Sequence, residues 1–132
     1  MAKLDLIYGL PFCKVKLSYK GESIYIDNVL LDTGSGGTVF KMDLVEKIGI
    51  TIEEDDVIET ISGVGGSEFV YKKNVDFIGV GNLEASNFNI EVGVMDYGFK
   101  INGILGMDFL KHVGAVIDLE NMSLNKGNLE LI

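Results

Sequence analysis

Apolar and polar residues alternate cleanly near the start of the chain. Val15, Leu17 and Tyr19 are interleaved with Lys14, Lys16, Ser18 and Lys20, the period-two pattern of a strand with one buried face. Residues 3–8 and 12–19 predict two strands. Tyr19-Lys20-Gly21-Glu22 predicts a turn, and Ser23 to Leu31 the next strand. Val39-Phe40 is a further apolar run, and Met42 to Ile48 predicts a short helix that Gly49 stops. Downstream, strands are expected at Val57–Ile61, Glu68–Lys72, 74–80, 86–95 and Lys100–Leu105, where Gly106 breaks the run. Met107–Val113 suits a second short helix. Ala115–Leu119 and Met122–Leu124 predict a hairpin about Glu120-Asn121, and Leu129–Ile132 a last short strand. The sum is an all-β chain, mostly strands with two short helices, in a single domain over residues 1–132.

Three stretches carry candidate chemistry. Val29-Leu30-Leu31 ends at Asp32, and Thr33-Gly34-Ser35-Gly36-Gly37 leads into Thr38-Val39-Phe40. This reads as a buried strand, a tight loop and a second buried strand. A carboxylate between such runs is costly in a dry core. Its plain reading is a turn cap that bonds backbone N–H groups two residues on. Ser62-Gly63-Val64-Gly65-Gly66-Ser67 predicts a hairpin tip, either an ordinary turn or a movable lid over a cleft. No Lys-Ser/Thr pair and no helix pattern follows it, which excludes a phosphate cradle. Ile104-Leu105-Gly106-Met107 faintly echoes the first stretch: an apolar strand, a glycine, then a helix.

Length and composition narrow the classes. One domain is the default for 132 residues, and an apolar content of 47% supports a sizeable core. The net charge is −9, and Lys72-Lys73 is the only adjacent basic pair. No nucleic acid and no membrane is therefore expected as a partner. No apolar run reaches the length of a membrane span and the first residues show no signal-peptide pattern, so the expected location is cytoplasmic. With His112 the single histidine and Cys13 the single cysteine, no His/Cys zinc site forms within one chain, and no metal or cofactor is expected. Cys13 lies in an apolar run and reads as a packing residue. His112 reads as a polar residue on the second helix.

The Asp32-Thr33-Gly34-Ser35 turn, the Gly63-Val64-Gly65-Gly66 hairpin and Ile104-Leu105-Gly106-Met107-Asp108-Phe109-Leu110 together resemble the retropepsin-like aspartic proteases, single-domain relatives of the pepsins. The resemblance runs from about Asp27 to Leu119. It implies a closed, barrel-like β domain, half of a pepsin-like architecture. It implies Asp32 as the catalytic aspartate, Thr33 as the hydroxyl joining two active-site loops, and Gly34 as the point of close backbone approach. Ser35, Gly36, Ser62, Gly63, Val64, Gly65, Gly66 and Ile104 become candidate substrate contacts, with residues 60–71 as a flap. Ile104, Leu105 and Gly106 would pack behind the Asp32 loop.

That chemistry uses two carboxylates sharing one proton, about 3 Å apart. The chain has one Asp-Thr-Gly, so the second acid must come from a second copy, giving a C2 homodimer. The expected function is a homodimeric aspartic endopeptidase acting on a peptide or unfolded protein substrate, with apolar residues such as Val39, Val64 and Ile104 favouring apolar side chains beside the cut. Ser35 is expected to donate its hydroxyl to Asp32, lowering the pKa of the dyad and shifting the activity optimum toward acid. Two features depart from the retroviral pattern. Met107-Asp108 stands where Arg-Asn or Arg-Asp is usual, and a hairpin lengthens the tail. Whether Lys3–Tyr8 and Leu129–Ile132 interleave between copies is left open. The competing readings are a catalytically inactive peptide-binding or dimerisation module on the same fold, and a small-molecule-binding β-barrel, which leaves the acid at its centre unexplained.

Overall fold

A computed structural model describes residues 1–63, 66–97 and 100–127. In chain order the strands are β1 (Ala2–Lys3), β2 (Asp5–Ile7), β3 (Leu10–Tyr19), β4 (Glu22–Leu31), β5 (Val39–Lys41), β6 (Ile58–Gly63), β7 (Gly66–Val80), β8 (Leu83–Gly93), β9 (Gly103–Leu105), β10 (Ala115–Asp118) and β11 (Ser123–Lys126). The helices are α1 (Met42–Val45), which tightens into a 3-10 turn over Glu46–Ile48, and α2 (Met107–His112). The chain is all-β with two short helices, as its patterning predicts.

The main sheet runs β2-β3-β4-β9-β5-β8-β7-β6. β3 also pairs with β7, through Lys16↔Gly79 to Ser18↔Phe77. That second pairing bends the sheet into a partly closed ring. Val15, Leu17, Ile26, Phe40, Ile78 and Leu105 fill its interior. A smaller apolar cluster joins Phe12, Val39, Val70, Met95 and Ile101, with Ile7, Leu30, Ile61 and Ile104 packed against it. A separate three-stranded sheet, β1-β11-β10, gathers both ends of the described chain.

One irregularity in β4 sets the aim of everything after it. The β3–β4 register passes from Val15↔Ile26 to Cys13↔Val29, so β4 carries one extra residue there. Asn28 takes it up at φ 56, a left-handed conformation that asparagine tolerates better than most residues. Before the bulge the inward position is Ile26; after it, Val29 and Leu31 are buried. Leu30 consequently faces the smaller cluster, and the acid that follows Leu31 leaves the main core. Asn102 secures the bulge, its backbone N–H donating to the Asn28 carbonyl and its side-chain amide to that of Asp27, at 3.0 and 2.8 Å.

Several elements differ from expectation, each for a local reason. Residues 68–72 and 74–80 form one strand, because Lys73 does not interrupt it. Its side chain is buried in line with Tyr71 and Val75, and its ammonium donates to Asp56 at 2.7 Å and Glu53 at 2.9 Å. The acidic run Glu53-Glu54-Asp55-Asp56, which the sequence alone reads as a solvated loop, is thus tied to β7 at its two ends, while its middle stays exposed. The hydrogen bond from Lys73 holds the Asp56 carboxyl below its ordinary value. The strand expected from Lys100 begins only at Gly103, since Asn102 is committed to the bulge. Residues 3–8 divide: Lys3 pairs with Ser123, and Asp5–Ile7 folds back on Leu10–Phe12. The N-terminal strands are therefore paired within their own chain. Leu129–Ile132 lies outside the described residues. Among the described residues no helix is long and apolar enough to cross a membrane.

Candidate active site

The candidate site is built where β4 ends. β9 lies parallel to β4, with Leu31 beside Leu105, and the Asp32 N–H continues that ladder to the Leu105 carbonyl at 3.0 Å. The chain then turns sharply. The Ser35 N–H returns to the Asp32 carbonyl at 3.1 Å, and the Gly34 N–H donates to the Asp32 carboxylate at 2.9 Å. Among the described residues that N–H is the one hydrogen-bond donor to this carboxylate. The turn-cap reading of Asp32 is thus met, and its carboxylate keeps further acceptor capacity. Asp32 is half-buried at the mouth of the loop, while Thr33, Gly34 and Gly36 are exposed.

The echo segment locks this loop from behind. The Met107 N–H donates to the Ser35 carbonyl at 2.8 Å and the Asp108 N–H to that of Gly36 at 3.3 Å. Gly106 sits so close that a β-carbon on it would lie 2.2 Å from the Gly37 carbonyl oxygen. Leu105 and Gly106 therefore back the loop as expected. Ile104 instead faces the smaller apolar cluster, beside Val39, Leu30 and Ile61.

Patterning did not single out Thr38 and Asp108, which form the lock itself. Thr38 is fully buried. Its hydroxyl donates to Asp108 at 2.6 Å and accepts the Gly106 N–H at 3.0 Å. The same carboxylate takes the N–H groups of Thr38 and Phe109. One signal was available: Thr38 is a hydroxyl opening an apolar run, and Asp108 a carboxylate at the head of a short apolar helix. Replacing Thr38 by the isosteric valine strands the Gly106 N–H and removes a donor from Asp108. The expected cost is on the order of 2 kcal/mol, read as a lower urea midpoint at unchanged slope. An unmoved midpoint counts against the lock.

The structure corrects one expectation. The Ser35 hydroxyl donates to the Gly37 carbonyl at 2.8 Å, not to Asp32. A hydroxyl has one proton to give, so Ser35 stiffens the loop here, and an acid-shifted optimum loses its stated cause.

The glycine hairpin is present as β6 and β7, in register from Ile58↔Tyr71 to Gly63↔Gly66. The hydroxyls of Ser62 and Ser67 meet across it at 3.1 Å. Val64 and Gly65 lie outside the described residues. Ile61, next to Ser62, packs on the cluster that holds Leu30, Val39 and Ile104, so the hairpin leans toward the Asp32 side of the sheet. Its middle is tied by Glu68, which accepts from the Tyr97 hydroxyl and from the Met95 N–H. Burial and this carboxylate raise the Tyr97 phenol above its usual value.

The remaining candidates for chemistry are inert. Cys13 is buried at 3% exposure, and burial pushes its thiol up to about 12, which suits packing and not nucleophilic attack. Among the described residues no group of three or more His, Cys, Asp or Glu side chains could hold a metal ion.

Comparison with curated proteins gives no match for the chain. A family model described as aspartyl protease matches residues 15–109, more than half of the chain. That span contains the Asp32 loop, the glycine hairpin and the backing segment through Asp108. The chain belongs to the aspartyl protease family.

Proposed function

We propose that the protein is a homodimeric aspartic endopeptidase in which each chain supplies one Asp32. The carrying observation is a half-built site. A carboxylate sits at the mouth of a rigidly backed loop, held by one backbone N–H and otherwise open. An exposed Thr33 hydroxyl stands beside it, and the sequence holds no second Asp-Thr-Gly. A twofold axis between two such loops would pair the acids and bring the two Thr33 side chains together.

Two carboxylates that close cannot both ionise, so the pair holds one proton. The ionised Asp32 takes a proton from a bound water, and the resulting hydroxide attacks the scissile carbonyl carbon. The protonated Asp32 gives its proton to the carbonyl oxygen. Collapse of the tetrahedral diol breaks the C–N bond as the nitrogen takes a proton back, leaving a new acid and a new amine. An extended peptide or unfolded protein segment can lie between the β6–β7 hairpin and the Asp32 loop, with main-chain hydrogen bonds giving register. Half-buried Leu30 and Ile104 offer it an apolar surface, whereas Val39, expected beside Ile104 in that role, is buried in the cluster at 2% exposure. The protein acts in this reading without a metal or cofactor.

The test is dilution. Cleavage of a denatured protein should fall faster than linearly with enzyme concentration, in step with the dimer fraction from sedimentation. An active monomer overturns the two-chain site. A dimer that binds peptides but cuts none points to an inactive binding module.

A further inference from the structure

We propose that Glu91 gives the substrate groove a side pocket for a lysine or arginine side chain of the peptide. The inference rests on the protease reading and adds a substrate preference to it. A pocket of about 240 Å³ opens against Gly36 and Gly37 of the Asp32 loop, bounded by Glu91, Asp108, Lys72 and Asn89. Glu91 reaches it from β8. It is the parallel register partner of Val39, so the two side chains stand on one face of the sheet. Val39 itself is buried, but Gly36 and Gly37 line the pocket with Glu91, so the acid stands at the flank of the Asp32 loop.

The absence of a side chain at Gly37 makes the arrangement possible, since a β-carbon there would lie 2.1 Å from a Glu91 carboxylate oxygen. Any larger residue would displace the acid from the loop.

Charge then decides what the pocket takes. Asp108 is occupied by the Thr38 hydroxyl and two N–H groups. The Lys72 ammonium pairs with Glu59 at 3.2 Å, and one ammonium cannot neutralise two carboxylates. The Glu91 carboxylate accepts no hydrogen bond and has no ion pair within 4.0 Å among the described residues. Burial first, then Glu59 and Asp108, raise its carboxyl, against the opposing pull of Lys72. A half-buried carboxylate that faces a cavity, with Lys72 near but committed to Glu59, suits a long basic side chain, which gains a charge-assisted hydrogen bond there. An acidic side chain meets repulsion.

The experiment is a cleavage-site profile on a mixture of proteome-derived peptides. Wild type should enrich Lys or Arg at one fixed position near the cut, by roughly tenfold over the mixture. Glu91→Gln should abolish that enrichment and leave cleavage of peptides apolar at that position within about twofold. Because the Glu91 carboxyl is raised, the enrichment should also weaken as pH falls into the acid range. Cleavage without basic enrichment, or enrichment that survives Glu91→Gln, overturns the inference and leaves the protease reading intact. A wild type that cleaves nothing, at any concentration giving dimer, overturns both.

Discussion

Adding an excess of Asp32→Asn chains to wild-type chains should remove more activity than dilution explains. Alone, the variant should lose roughly 10⁴-fold or more of kcat/KM, because the proposed mechanism needs a shared-proton pair that it can no longer form. Its fold should survive: asparagine keeps an oxygen for the Gly34 N–H that now binds Asp32 at 2.9 Å. The mixture carries the sharper information. If chains pair at random, a threefold excess of variant leaves roughly a quarter of the wild-type chains with a wild-type partner. Activity per wild-type chain should fall to about that level once subunits exchange. Activity that stays proportional to wild-type content would mean that each chain works by itself. Appreciable cleavage by the variant alone would remove Asp32 from the chemistry altogether.

Gly106→Ala should cost both stability and activity, and activity the more. The residue's own backbone angles, φ −99 and ψ −177, suit alanine, so the effect is one of contact alone. The added carbon would lie 2.2 Å from the Gly37 oxygen, 2.7 Å from its carbonyl carbon and 2.9 Å from the Ser35 oxygen. All three obstacles are backbone atoms of the loop that carries Asp32, and no rotamer change relieves them. Overpacking of this kind costs about 3 kcal/mol at the upper end of its range. Relief requires the loop to move away from β9, which in the proposed dimer carries Asp32 out of line with the second carboxylate. A displacement of about 1 Å in a reacting group lowers turnover by roughly a hundredfold. Urea denaturation and kcat on one apolar peptide measure the two effects. Gly114→Ala is the control, since a carbon there meets nothing within 4 Å and acts only through its backbone strain at φ 65. Equal loss of activity in both variants would show that general destabilisation, not the loop, is responsible.

The parts legible in the sequence were those set by local pattern. Alternation from Lys14 to Lys20 gave β3, and the apolar runs on either side of Asp32-Thr33-Gly34 gave the strand–loop–strand. Gly49 and Gly106 marked helix edges. What stayed hidden depends on partners distant in the chain. Lys73 looked like a break because its ions come from a loop 17 and 20 residues away. Thr38 and Asp108 are separated by 70 residues, and neither residue type announces a buried bond. Ser35 was given the wrong acceptor because a hydroxyl beside an acid and one beside a carbonyl look alike in sequence. Glu91 read as one polar position of a strand, and its pocket exists only because β5 and β8 run side by side.

The extra residue at Asn28 has an evolutionary corollary. Strand phase works as a parity code, and Asn28 is the digit that flips it. Drawing residue 28 into the strand as an ordinary position would carry simple alternation on from Ile26 and turn Leu30 and the acid toward the hydrocarbon interior, where Val15 and Phe40 now lie. Residues that resist the left-handed backbone, the β-branched ones above all, should therefore be purged at position 28 far more strictly than at its neighbours, and lineages of this chain should keep asparagine, aspartate or glycine there.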